Sequence, residues 1–212
     1  MATPRMSMNK VIHCAVRRDL RRFRTALERF PAGDTSRAAA LHTAWVNFDQ
    51  QLTEHHEGEH EIAWPALKAI GVPDTSIATF DKEHEAMAAA LRGAGTAMDT
   101  FARTATAADA QAAGTAMAAL DEATTTHLDH EEQEIEQLLH DKEQDPAVKQ
   151  MGKQFSRRSS LPVAGTFFAW MEDGASPDER AALRQSVPGP VIAIIGGIFG
   201  RRYRKEIAPV WS

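Results

Sequence analysis

The chain has 212 residues, a formal net charge of −5 and 43% hydrophobic residues, which suffices for one domain with an apolar core. The weakly acidic balance gives no electrostatic reason to expect nucleic acid or an anionic membrane as a partner. A single cysteine, Cys14, excludes an intramolecular disulfide, and the first ten residues lack the apolar run of a secretory signal. The longest apolar run, 191–199, is too short to span a bilayer. We therefore expect a cytoplasmic, mostly helical protein without a membrane span.

Apolar residues recur at alternating steps of three and four in two segments of the N-terminal half, which is the period of one helix face. The first segment is marked by His13, Val16, Leu20, Phe23, Leu27 and Phe30. The second reaches Pro65 and is marked by Leu41, Trp45, Phe48, Leu52, His55, Glu59 and Ile62. Between them, Pro31, Gly33 and Asp34 predict the end of one helix and the start of the next.

Two further segments have the same period. The third, which Thr75 or Ser76 is expected to cap, is marked by Ile77, Phe80, His84, Met87, Leu91, Ala94, Met98 and Phe101. The fourth is marked by Met117, Leu120, Thr124, His127, Glu131 and then Ile135 or Leu138. Four such helices with short connections predict an all-α, antiparallel up-down-up-down four-helix bundle.

Proline residues predict further short helices beyond the bundle. Helix starts are expected at Asp145-Pro146, Ser176-Pro177 and Pro190. We therefore divide the chain into a bundle, 1–144, and a short helical C-terminal extension, 145–212, packed on it. We expect a monomer or a weak homodimer.

The apolar stripes of the second and fourth helices are interrupted by histidine and glutamate. His55 and Glu59 lie in the stripe of the second helix, whereas His56, Glu57 and His60 fall outside it. Choosing His56 and His60 as the inward pair would turn the whole apolar stripe towards solvent, which costs far more than one misplaced side chain. The pair His130 and Glu134 on the fourth helix is rejected against His127 and Glu131 for the same reason.

The inward polar residues form a pattern that predicts metal binding. The spacing His-x-x-x-Glu occurs twice, and residues four apart on a helix superpose on one face about 6 Å apart along the axis. Burying carboxylates and imidazoles is costly unless cations compensate them. Mixed imidazole and carboxylate ligation suits iron, or less well manganese, whereas zinc favours four-coordinate sites and calcium favours oxygen alone. We expect a core di-metal centre with both glutamates bridging and the ligands His13, His55, Glu59, His84, His127 and Glu131.

Two alternatives stay open at this point. A one-residue shift would put Glu132 in place of Glu131, and His60 or His130 could orient a ligand from outside the stripe. The other histidines, His42, His56 and His140, are expected to be solvated. The basic run Arg17, Arg18, Arg21, Arg22 and Arg24 is expected to be a solvated flank of the first helix.

The segments "VIHCAVRRDLRRF", "EHHEGEHEIAWPAL", "FDKEHEAM" and "THLDHEEQEIEQLL" resemble the hemerythrin-like, or HHE cation-binding, domain. The resemblance implies a four-helix bundle around a non-haem di-iron centre. The motif set is similar to that of an actinobacterial-type branch, and "LPVAGTFFAWMEDG" and "GRRYRKEIAPVW" are similar to the C-terminal extension of that branch.

This chain also departs from the oxygen-carrying members of that family. They have an extra histidine one turn before the third-helix ligand, where this chain has Phe80, and their last carboxylate lies five residues after its histidine rather than four. If both glutamates and a solvent oxygen bridge two irons, each iron has two histidines and one open position, which favours turnover of peroxide. The branch likewise implies a catalase-like enzyme that disproportionates hydrogen peroxide. The alternatives are an O2- or NO-binding or sensing protein without turnover, and a protein of iron storage or delivery.

Overall fold

The computed structural model describes residues 6–211. Residues 1–5, on which part of the expectation about a secretory signal rests, and residue 212 lie outside the described residues. The described part contains helices and no strand. The helices of the first two thirds are α1 Met8–Glu28, α2 Thr35–Gly58, α3 Trp64–Ala69, α4 Asp74–Thr104 and α5 Ala107–Asp141. The later ones are α6 Pro146–Arg158, α7 Leu161–Glu172, α8 Pro177–Ser186 and α9 Gly189–Phe199.

The four long helices α1, α2, α4 and α5 form the predicted antiparallel bundle. Helix α4 packs along α5, α5 along α1, and α2 along α4. The predicted stripes face the interior, where Phe23 contacts Trp45 and Phe48 edge to face at ring distances of 5.9 and 5.7 Å. Each large apolar side chain buried in this way stabilises the fold by about 1.5–3 kcal/mol.

The helix boundaries follow the turn residues, with one exception. Asp34 accepts a hydrogen bond from the amide of Arg37 and caps α2, as the sequence predicts. The cap expected at Thr75 or Ser76 is wrong, because α4 already begins at Asp74, directly after Pro73. The extended ψ of 146° at Pro73 and the fixed φ of proline suit a residue that precedes a helix.

A π-helical turn, Glu59–Ala63, joins α2 to α3 without a break. The Trp64 amide donates to the Glu59 carbonyl, five residues earlier, and Pro65 has no amide hydrogen to offer the helix. The extra residue shifts the buried face by one position. Ala63 and Trp64 are therefore buried, whereas Ile62, which the regular spacing placed in the stripe, is only half-buried.

Three of the helices after residue 145 begin within one residue of the predicted starts, whereas α7, which begins at Leu161, was not predicted. Asp145 caps α6, and Ser176 and Glu179 form a reciprocal capping box at α8. Helices α7 and α8 contact α1, and the later π-helical turn Tyr203–Ile207 contacts α2. A buried hydrogen bond ties α7 to α1, in which the Trp170 indole donates to Asp19 Oδ2 at 2.7 Å.

The prediction of a solvated arginine flank on α1 is wrong for three of its members, Arg17, Arg18 and Arg22, of which the last two pair with the C-terminal segment. Arg18 donates to Asp19 Oδ1 at 2.8 Å and to the Asp173 carbonyl, and Arg22 donates to Asp173 Oδ2 at 2.8 Å. The buried Tyr203 hydroxyl donates to the same oxygen at 2.9 Å. These side chains therefore hold the C-terminal helices against α1.

Within residues 6–211, no single helix has both the length and the apolarity needed to cross a membrane. Only α8 and α9 taken together pass that test, and they are bent by 103° at the break between them.

Candidate metal centre

The antiparallel arrangement brings six predicted polar residues to one level of the bundle. His13 lies near the start of α1 and His84 about one third of the way along α4. His55 lies near the end of α2, and Glu59 begins the π-helical turn that follows it. His127 and Glu131 lie in the second half of α5. These polar residues lie between two apolar clusters. Along α4, Phe80 of one cluster comes before His84, and Ala94 of the other cluster comes after it.

The ligand-type atoms form two groups, and in each group one atom from every residue lies within 4.8 Å of the others. The first group is fully buried and consists of His13, His55, Glu59 and Glu131. In it, Nε2 of His13 lies 3.2 Å from Oε2 of Glu131, and Nε2 of His55 lies 3.1 Å from Oε1 of Glu59.

The second group consists of His56, Glu59, His84 and His127. Nε2 of His84 lies 3.3 Å from Oε2 of Glu59 and 3.0 Å from Nε2 of His127. Glu59 therefore belongs to both groups and turns one oxygen towards each. Glu131 also approaches the second group, with Oε2 at 3.9 Å from Nε2 of His127.

The expectation that His56 faces solvent is wrong. Its Nε2 atom is buried, and its ring centre lies 4.5 Å from that of His84 and 5.4 Å from that of His55. His56 lies within the regular part of α2, three residues before the π-helical turn. His55 and His56 point about 100° apart on that helix, and both border the same interior space because α4 packs against the side of α2 that His56 occupies.

Several atoms that face this space have no hydrogen-bond partner among the described residues. They are Nε2 of His13, Nε2 of His55, Nε2 of His56, both carboxylate oxygens of Glu59 and Oε2 of Glu131. Each buried polar atom left in this state costs about 1–3 kcal/mol. Cations accept lone pairs from all of these atoms, and the mixture of imidazole and carboxylate suits iron or manganese. The residues present therefore fit a metal site.

A carboxylate outside the two groups orients one of the rings. Nδ1 of His127 lies 3.1 Å from Oε2 of Glu83, and Nδ1 of His130 lies 2.9 Å from the other oxygen of Glu83. With its Nδ1–H donated to Glu83, His127 presents the Nε2 lone pair to the interior. The sequence left open whether His130 orients a ligand. The structure places it in contact with Glu83, which in turn contacts His127, so it orients that ring indirectly.

His13 is oriented in a similar way by α5. Its Nδ1 atom lies 3.0 Å from Oε1 of Glu132, and the same oxygen accepts from Arg17 at 2.6 Å. Oε2 of Glu132 pairs with Lys10 at 3.2 Å. Glu132 therefore holds the outer side of the His13 ring, whereas Glu131 faces the first group. Arg17 is consequently part of this arrangement rather than a solvated side chain.

Burial and neighbouring charges give these groups unusual proton affinities. Burial lowers the pKa of His55 well below its ordinary value, with the charge of His13 acting in the same direction. Burial and the charge of His127 lower the pKa of His84 to about 3. His55 and His84 are therefore neutral at physiological pH and offer the lone pairs that metal binding requires.

The pKa values of the two buried glutamates are shifted in opposite directions. Burial raises the pKa of Glu59 well above its ordinary range, and the negative charge of Glu131 raises it further. Burial also raises the pKa of Glu131, but contact with His13 outweighs it and brings that pKa to about 2. Two carboxylates this close cannot both ionise cheaply without added positive charge.

All six residues predicted as ligands lie in the two groups, and the seventh, His56, was missed. The period of α2 contains no signal for His56, because this residue lies one position outside the apolar stripe and its neighbour in the site belongs to another helix. Of the other histidines, His42 pairs with Asp99 at 2.8 Å, and His60 is 70% exposed.

Comparison with known proteins agrees with this geometry. The model of the hemerythrin HHE cation binding domain matches residues 10–139, a segment that contains all seven residues of the two groups. Searches of curated proteins and of solved structures gave no significant match. The chain therefore belongs to the hemerythrin HHE cation-binding domain family, and it is a non-haem metal-binding protein of that family.

Proposed function

We propose that the protein binds two iron ions side by side, one in each group, and that this pair disproportionates hydrogen peroxide. The observation that carries the proposal is the position of Glu59, whose two oxygens lie 3.1 Å from His55 and 3.3 Å from His84 in different groups. A carboxylate shared in this way suits two adjacent cations better than one.

The reaction requires a redox centre that can store two electrons between its two half-reactions. One peroxide loses two electrons and two protons and becomes O2, and a second peroxide takes up both and becomes two waters. Two iron ions that each change oxidation state by one supply that capacity when bound.

The protein side chains supply orientation and protection. Glu83 and Glu132 hold the rings of His127 and His13 from outside. Phe80 is fully buried, with its ring 6.1 Å from that of His127, and excludes water on that side. The Trp64 ring stacks on His84 at 5.4 Å and is itself anchored to Asp81 at 2.8 Å.

A second candidate function is reversible binding of O2 or NO without turnover. The observation that favours it is His56, which gives the second group three imidazoles where the first has two. A third imidazole would fill one more ligand position on an ion held by the second group, so that a free position would remain on an ion held by the first. A single open position suits end-on binding of a diatomic molecule.

The experiment combines metal analysis with peroxide turnover. Protein loaded anaerobically with ferrous iron is expected to hold about two irons per chain and to evolve one O2 for every two peroxides consumed. His55→Ala is expected to lose iron and turnover, and His42→Ala, on the exposed side of the same helix, to retain both. Reversible spectral change with O2 or NO and no oxygen evolution would support the second candidate instead. A protein that binds no iron would contradict both.

A further inference from the structure

A concave surface away from the metal centre lies along the second half of α1. It is a groove of about 460 Å³ between α1, the loop to α2, the start of α2 and the last described residue. We call it the arginine groove and define it by Arg18, Arg21, Arg22, Arg29, Arg37 and Trp211. No carboxylate side chain is among the described residues that line it.

Part of this positive charge is neutralised by residues that do not line the groove. Arg18 and Arg22 pair with Asp19, and Arg22 also pairs with Asp173. Arg37 donates to the Val210 carbonyl at 2.6 Å. Arg18 also donates to the Asp173 carbonyl. Five guanidinium groups thus share two carboxylates and two carbonyls, and the groove retains excess positive charge.

Four of the residues that line the groove have side-chain N–H donors without a hydrogen-bond acceptor among the described residues. Arg21 and Arg29 are exposed and have no acceptor within the described part of the chain. Nη2 of Arg18 and Nε1 of Trp211 are buried and likewise lack a hydrogen-bond partner there. Buried donors in this state favour an acceptor that enters the groove.

We propose that the arginine groove binds a small phosphate-bearing polyanion. Guanidinium groups match the geometry of phosphate oxygens and bind them in a bidentate manner. The volume is that of a small-molecule site, and the Trp211 ring, with Arg22 at 5.5 Å from its centre, places an aromatic surface beside the cations. Inorganic polyphosphate and nucleoside triphosphates share this chemistry. The proposal is independent of the metal centre.

Calorimetry of the full-length protein with tripolyphosphate and with ATP, at about 0.15 M salt, tests the proposal. We expect both to bind the unaltered protein, and the double variant Arg21→Ala/Arg29→Ala to bind at least about tenfold more weakly. The double variant Arg92→Ala/Arg103→Ala removes the same charge from exposed positions of α4 and is expected to bind within about twofold of the unaltered protein. Equal affinities would assign the site to phosphate alone, and tighter binding of ATP would assign it to a nucleotide.

The conservative variant Trp211→Phe retains an aromatic ring but removes Nε1–H, and we expect weaker binding with an unchanged helical circular dichroism spectrum. Absence of binding to the unaltered protein would overturn the proposal. An equal loss of affinity in the α4 double variant would also overturn it, because the binding would then depend on net charge rather than on the groove.

Discussion

Nε2 of His84 and Nε2 of His127 face each other at 3.0 Å between α4 and α5. Glu83, one residue before His84, lies 3.1 Å from Nδ1 of His127 and so determines which nitrogen of that ring carries the proton. The same helix therefore provides one ring of the pair and the carboxylate that orients the other. Two predictions about metal binding depend on such contacts between side chains of different helices.

His56→Ala is expected to reduce the iron content from about two ions to about one per chain, because only the second group contains this ring. Metal analysis of the purified, iron-loaded protein measures it. His60→Ala changes a 70% exposed histidine four residues later and serves as the control. Unchanged iron content in His56→Ala would show that this ring is not a ligand.

Glu83→Gln is expected to weaken metal binding by about 10–100-fold, since an amide orients His127 and His130 less well than a carboxylate. Competition against a chelator of known affinity measures the change. The matched control is Glu85→Gln, an exposed position on the same helix, for which we expect the affinity of the unaltered protein. Equal affinities for all three proteins would contradict the assigned role of Glu83.

Asp19→Asn is expected to lower the free energy of unfolding by about 3–5 kcal/mol, because it leaves Arg18 and Arg22 partly buried without their shared carboxylate. Urea unfolding followed by circular dichroism measures the effect. Glu206→Gln breaks the exposed pair with Arg202 and should cost no more than about 1 kcal/mol. Similar values for the two variants would mean that the Asp19 network does not stabilise the fold.

Gly165→Ala is expected to destabilise the packing of α7 on α9. A Cβ atom there would lie 2.7 Å from the carbonyl oxygen of Ile195 and would also overlap Phe199, at a cost of about 1–3 kcal/mol. Gly197→Ala on α9 meets nothing within 4 Å and should instead stabilise the helix by about 0.5–1 kcal/mol. Thermal unfolding of both variants gives the comparison, and a neutral Gly165→Ala would indicate that the two helices can separate freely.

Cys14 is expected to react slowly with iodoacetamide at mildly alkaline pH. Burial, with Glu179 as the next contribution, raises the pKa of its thiol to about 11, so the reactive thiolate is scarce until the pH approaches that value. The rate should rise with pH well beyond the range in which a small free thiol has already levelled off. As the chain has one cysteine, mass spectrometry follows the reaction without ambiguity, and a profile like that of the free thiol would refute the prediction.

The amino-acid sequence by itself determined the helices of the bundle and most of the polar set in the interior. Side chains such as Leu20, Phe48 and Met98 recur at helical spacing and are all buried, because the period of an α-helix depends on local geometry alone. The same period places His55 with Glu59 and His127 with Glu131 on interior faces. Proline and capping residues such as Asp34 and Ser176 also act locally, so the helix starts they mark were predicted correctly.

Only the tertiary structure decided which further residues belong to the site. His56 lies outside the apolar stripe of α2, and it borders the site because α4 packs beside it and brings the ring of His84 to 4.5 Å from its own. The contact of Glu83 with His127 and that of Glu132 with His13 join different helices, and the periodicity of one helix contains no information about its neighbour. The pairing of Arg18 and Arg22 with residues of the C-terminal segment has the same origin, because charge partners far apart in the chain are set by packing and not by local sequence.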